Sequence, residues 1–360
     1  MASTPSQTAR RIVLQAAALG ALRLAHADAR AFEPKGRGLI AMPGRPQLDG
    51  SFIQLWERHL SWTREDWSAL LDAFVQLDLP MLIVQWSRHD DLRYAESPSR
   101  DDARKAPLAH LAWANLARPI PVLLGLDHHS GWWRHAELSG AKLRALLDQW
   151  VARALLEARR LRPFALSLPG FQGWYLTEEI DVHSWAPQQR LEALGHALSR
   201  ICAGLEQLTP GLPIALSGFG DARDSLGQTA AFWRAIWARA PRLDCLLLQD
   251  GIGVGHYRID QWAETLAADR TVLGAAPWPR RARQRPALWA VVETFRQHSA
   301  PGAPFAARPA PIAELALQLE IASQADRRIA FSAPDYMMGP SGSKADRLNR
   351  DYRARYRRAV

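Results

Sequence analysis

The run MLIVQWS, residues 81–87, decides the fold. It is apolar from Met81 to Val84 without alternation. A strand with one wet face alternates, whereas an unbroken run reads as a strand covered on both faces, as in a parallel sheet packed between helices. Its neighbours support that reading. TREDWSALLDAFVQLDL (63–79) has helical spacing, with Thr63 as N-cap and Asp66 three residues on. APLAHLAWANLA (106–117) is a second helix on the other side.

The same unit recurs outward in both directions. GSFIQLW (50–56) reads as a strand, as do PVLLGLD (121–127), FALSLPGFQGWYLTEE (164–179), PIALSGF (213–219), LDCLLLQDGIG (243–253), LWAVVETF (288–295) and RIAFSAPDYM (328–337). Helical segments fall between them at 139–161, 187–208, 229–240, 259–268 and 312–325. Eight strands joined by helical crossovers predict a (β/α)8 TIM barrel; a doubly wound open sheet is the alternative, weakened by the absence of a Gly-rich dinucleotide fingerprint after the first strand.

The N-terminus has a different character. TARRIVLQAAALGALRLAHADA pairs Arg10 and Arg11, continues into a short apolar run and ends on small residues at Ala25 and Ala27. This is the plan of a twin-arginine-like signal peptide over 1–27, too short for a membrane span, and it implies a periplasmic or secreted protein. The barrel then occupies 28–340 and a basic helix 341–360. The formal charge of +9 includes Arg10, Arg11 and Arg23 of the signal. Without a nucleic-acid motif, PRRARQRP (279–286) and the basic C-terminus read as a solvated loop and helix, and no nucleic-acid partner is expected. Two cysteines, Cys202 and Cys245, permit a disulfide in an exported protein or two buried thiols.

In a (β/α)8 barrel the chemistry sits where strands end. Those ends deliver Gln54, Trp56, Gln85, Trp86, Asp127, Tyr175, Gln249, Asp250 and Tyr336, with Trp132, Trp133 and Trp185 just beyond. Aromatic faces beside amides and carboxylates suit a carbohydrate: sugar C–H faces stack on Trp, and hydroxyls bridge polar groups. Glycoside hydrolysis needs two carboxylates, and Glu179 (or Glu178) on the fourth strand with Glu293 on the seventh is the best pair. A separation of roughly 5–5.5 Å would give a retaining mechanism. Alternation puts Glu179 on the side of Tyr175 and Thr177, and Glu178 on that of Leu176. No cofactor is expected. His128 and His129 lack a third spaced ligand for a metal. Asp221 and Asp224 read as a turn and helix cap, and Ser217 has no nucleophile-elbow context.

Taken in order, GSFIQLW, LIVQWS, GLDHHSGWW, GWYLTEEID, LLLQDGIGV and VVETF resemble the DUF4434 family of glycoside-hydrolase-like barrel proteins. The resemblance implies the (β/α)8 fold and a role on glycans. It is also similar in plan to retaining glycosidases with an acid/base on strand four and a nucleophile on strand seven, although Thr177 or Glu178 stands where those enzymes carry Asn. The expected function is an exported glycoside hydrolase acting on a poly- or oligosaccharide. The alternatives are a non-catalytic glycan-binding protein on a degenerate barrel, for example in an exopolysaccharide system, and another barrel hydrolase or lyase.

Overall fold

A computed structural model describes residues 46–96, 106–275, 287–300 and 303–356. The expected signal peptide at 1–27 and the arginine-rich loop at 279–286 lie outside them. Thirteen strands occur among the described residues: β1 Gly50–Ile53, β2 Leu82–Val84, β3 Arg88–His89, β4 Leu92–Arg93, β5 Val122–Gly125, β6 Asp127–His128, β7 Phe171–Asp181, β8 Ile214–Phe219, β9 Cys245–Gln249, β10 Ala287–Glu293, β11 Phe295–Gln297, β12 Ala307–Pro309 and β13 Arg327–Phe331. Eight of them close into one barrel in the order β1-β2-β5-β7-β8-β9-β10-β13, with β13 returning to β1. Every pair is parallel.

Alternation along each strand divides the core in two. Phe52, Ile83, Leu123, Tyr175, Ala215, Leu247, Val291 and Ile329 form a cluster inside the barrel. Their neighbours Ile53, Val84, Leu124, Leu176, Leu216, Leu248 and Val292 join the larger layer beneath the helices. This explains the unalternating runs, because both faces of every strand are dry. Cys202 lies in the helix layer and Cys245 inside the barrel. Both are buried and free, so the disulfide alternative is not the one adopted.

The helix Arg64–Gln76 begins as the capping box requires: Asp66 N donates to Thr63 Oγ1 at 3.3 Å and Thr63 N to Asp66 Oδ2 at 2.8 Å. Two elements depart from the sequence expectation. The helix Gly140–Ser167 runs through Pro163 and six residues past the expected end at 161. Proline removes one backbone hydrogen bond, but the stripe of Ala158, Leu161 and Ala165 is buried on both sides of it. At the other end, β13 stops at Phe331. Ser332 takes a left-handed φ of 43°, and Ala333–Tyr336 forms a short helix, so Asp335 and Tyr336 are helical rather than extended.

Tryptophan is mostly structural. Of fifteen in the chain, Trp67, Trp132, Trp150, Trp174, Trp185, Trp233, Trp237, Trp262 and Trp289 are under 2% exposed. Trp289 fills the barrel interior and the other eight pack between helices and barrel, which removes most of them from a ligand surface.

Candidate active site at the barrel mouth

Two residues beyond the inward cluster, the interior becomes polar. Continuing the same alternation, Gln54, Gln85, Thr177, Ser217, Gln249 and Glu293 follow Phe52, Ile83, Tyr175, Ala215, Leu247 and Val291. All six are buried. Gln85 Oε1 and Gln249 Nε2 have no hydrogen-bond partner among the described residues. Buried amides left open at a strand end mark a place where a polar ligand completes the bonding.

Glu293 is the best supported of these groups. It is 3% exposed and its Oε2 accepts a hydrogen bond from Val254 N at 2.9 Å. The loop after β9 reaches it because residue 253 is glycine: a Cβ there would stand 2.7 Å from Glu293 Oε2 and 2.6 Å from Phe295 O. Behind it lies Asp250, fully buried, accepting from Gln318 Nε2 at 2.7 Å and Ile252 N at 3.1 Å. Burial raises the pKa of both acids, Asp250 to about 6 and Glu293 well above the carboxylate range. For Glu293 the Asp250 charge adds to that rise, while the donors from Val254 and Gly253 oppose it. Tyr336 stacks on Phe295, two residues beyond the acid, at 4.9 Å, and its pKa is raised by burial first, then by the Asp335 and Glu293 charges.

The structure separates Glu178 from Glu179. Glu178 is fully buried on the helix side of β7, where it binds His128 Nδ1 at 2.9 Å, Arg153 Nη2 at 3.3 Å and His129 N at 3.1 Å. Arg153 also donates to Asp127 Oδ2 at 2.8 Å, and Arg88 lies 3.6 Å from Asp127 Oδ1. Glu178 and Asp127 therefore belong to an internal ion-pair network rather than to the mouth. Burial alone would lower the His128 pKa, but the Glu178 charge and hydrogen bond outweigh it and raise it. Glu179, its neighbour on β7, is 4% exposed and lies where the register with β8 shifts between Leu176 and Ile180. In the closed order it stands three strands from Glu293.

Several expected sugar contacts are placed elsewhere. Trp132 and Trp185 are buried against each other at 5.6 Å and against Trp150 and His135, so their faces are occupied. Trp86 donates to Leu55 O at 2.6 Å and stacks on His89 and His128. Asp250 faces Gln318 on the helix Ile312–Ala322. Trp56 and Trp133 are the tryptophans of the expected set that keep partial exposure. His129 Nδ1 accepts from Gly131 N at 2.8 Å, and among the described residues no three His, Cys, Asp or Glu side chains are grouped to hold a metal ion. Arg153, Gln318 and His89 were invisible to sequence reasoning, because nothing local links them to their partners.

Beside the mouth, a cavity of about 350 Å³ opens over the ends of β7 and β8, with Trp133, Phe219 and His256 on its walls and Asp181 and Asp224 at its edge.

A model of the family described as "Domain of unknown function (DUF4434)" matches residues 48–344. The chain belongs to that family. None of the curated proteins compared matches it. Among solved structures, a candidate alpha-L-fucosidase from Bacteroides thetaiotaomicron VPI-5482 is similar at 17% identity and a TM-score of 0.66, over 89% of this chain and 99% of that one. The exo-beta-1,4-mannosidase Op5Man5 from Opitutaceae bacterium strain TAV5 is similar at 13% identity and 0.47, over 88% and 62%. An endo-1,4-beta-mannanase from Rhizomucor miehei is similar at 10% identity and 0.45, over 85% and 95%. The first of these likenesses shows the fold, a (β/α)8 TIM barrel.

Proposed function

We propose that this DUF4434 protein is an exported glycoside hydrolase that cleaves a poly- or oligosaccharide by double displacement. The observation that carries the proposal is the pair of buried acids, Glu179 and Glu293, on barrel strands three apart. Glu293 is the nucleophile. Its carboxylate is fixed by the Val254 N–H, a donor that favours the anion, and its dry setting leaves little water to be displaced before it attacks the anomeric carbon. As the carbon–oxygen bond to the leaving group breaks, Glu179 gives that oxygen its proton. Water then attacks the glycosyl ester, loses a proton to Glu179 and releases Glu293. Gln54, Gln85, Gln249, Tyr175 and Tyr336 orient hydroxyls, and Trp56 and Trp133 offer stacking faces.

The test is reducing-end release from a panel of bacterial and plant polysaccharides by the wild-type protein, Glu179→Gln and Glu293→Gln. Release by the wild type with loss in both variants supports the proposal. Full activity in Glu293→Gln refutes it, and glycan binding without release by the wild type transfers the protein to the binding class.

A further inference from the structure

The cavity over β7 and β8 adjoins the proposed cleavage point. Asp181 is two residues beyond Glu179 on the same strand, about 6–7 Å along it, and Phe219 ends the inward series of β8. A sugar unit there would be next to the one being cleaved. The walls are aromatic: Trp133 lies 6.1 Å from Phe219, and Phe219 lies 5.6 Å from His256.

The charge of the cavity is not balanced. Its lining carries four carboxylates (Glu137, Asp181, Asp221, Asp224) against two guanidinium groups (Arg134, Arg223), a net of −2 with histidine neutral. Arg223 is spent on Asp221, to which its Nε donates at 2.8 and 2.9 Å. Asp181 and Asp224 have side chains only 12% and 8% exposed. Each meets backbone donors, Ser184 N at 2.6 Å and Asp221 N at 3.1 Å. Their histidine neighbours stop short of hydrogen bonds: His135 Nε2 lies 3.6 Å from Asp181 and His183 Nδ1 3.7 Å from Asp224.

A separate observation points to a ligand. His135 is 1% exposed and lines the cavity, yet its Nε2 makes no hydrogen bond among the described residues. Arg190 Nη2 lies 3.3 Å from its Nδ1. A guanidinium can only donate, so Nδ1 accepts and Nε2 carries the hydrogen. The cavity wall thus presents a buried donor 3.6 Å from Asp181, in a lining that also holds Asp224 and the aromatic faces.

We propose that this cavity is a subsite for a sugar unit bearing a free, non-acetylated amino group, so that the glycan handled is a cationic amino-sugar polymer. The ammonium sits between Asp181 and Asp224, the ring lies against Trp133 and Phe219, and a hydroxyl accepts from His135 Nε2. An N-acetyl group would bring no charge and would bury an amide against two carboxylates. This inference rests on the glycan reading of the barrel mouth and narrows its substrate class.

Ligand-observed NMR titrations of the full-length protein test it without knowledge of the linkage. The probes are glucosamine, galactosamine and mannosamine, their N-acetyl forms, and the three parent hexoses, at low salt. At least one amino hexose is expected to bind about tenfold more tightly than both counterparts, the scale of a charge-assisted hydrogen bond. Asp224→Asn removes that preference, and Trp133→Ala weakens all sugars. Asp224 lies in a loop outside the barrel strands; Asp181→Asn is the second charge variant, and circular dichroism checks both folds. Equal or tighter binding of neutral or N-acetyl sugars, or a preference surviving in both Asn variants, overturns the inference and leaves the glycosidase proposal standing. Failure of every sugar to bind overturns the inference; polysaccharide release then decides the glycosidase proposal separately.

Discussion

Replacing Arg153 by Met tests the division of labour between Glu178 and Glu179. Arg153 holds two buried carboxylates, Asp127 at 2.8 Å and Glu178 at 3.3 Å. Breaking a buried pair by removing one partner costs about 3–5 kcal/mol. Here the loss is smaller. The Arg153 side chain is 22% exposed, Arg88 remains 3.6 Å from Asp127, and His128 remains 2.9 Å from Glu178. We expect about 2–3 kcal/mol, a fall in melting temperature of about 3–4 °C at the usual unfolding entropy of about 2.1 cal/mol/K per residue. The loss is pH-dependent. Burial already raises the folded-state pKa of Asp127, although the Arg153 and Arg88 charges oppose it. A group with a raised folded pKa contributes stability below its unfolded pKa and loses it as pH rises through the folded value. Removing Arg153 raises that value further, so the destabilisation is largest near neutral pH and shrinks toward about pH 5. Urea unfolding at both pH values measures it. A loss under about 0.5 kcal/mol at neutral pH, the ordinary range of surface changes, or one equal at both pH values, would refute the ion-pair account.

The remaining expectations concern activity. Glu178→Gln should change kcat within about tenfold, whereas Glu179→Gln should lower it by about 10²–10⁴-fold, the usual worth of a general acid–base; the comparison is made on whichever glycan the wild type cleaves. If Glu293 attacks as the anion, activity is lost as pH falls through its raised pKa, so the acidic limb of kcat/KM lies above the ordinary glutamate value of about 4.3. Asp250→Asn removes a neighbouring negative charge and should move that limb downward; an unmoved or upward limb contradicts the assignment. Gly253→Ala pushes a methyl group toward Phe295 O and Glu293 Oε2, and should cut kcat about 10²-fold by misplacing the acid, with a circular dichroism spectrum like the wild type's.

The barrel was legible because its signal is local. Runs such as MLIV and CLLL lack alternation since both faces of each strand are covered, and that pattern survives in one dimension. The misplaced residues share a different cause. Asp127, Asp250, Trp132 and Trp185 stand at or after strand ends, as ligand contacts do, but the partners that claim them are 26 to 68 residues away or on another element: Arg153, Gln318, Trp150 and His135. No spacing rule encodes such a partner. The helix expected over 139–161 runs on through Pro163, because a buried stripe on both sides holds it together. The amine-binding cavity had no sequence signature at all, because its walls come from the loops after β6 to β9.

In double displacement, Glu293 forms a covalent bond to the sugar. Incubating the protein with a panel of 5-fluoro glycosyl fluorides, amino and neutral, and then measuring the intact and peptide masses tests it directly. The account predicts one added glycosyl unit, carried on the peptide that contains Glu293 and absent in Glu293→Gln. A glycosyl unit on a different residue, or trapping undiminished in Glu293→Gln, would contradict it.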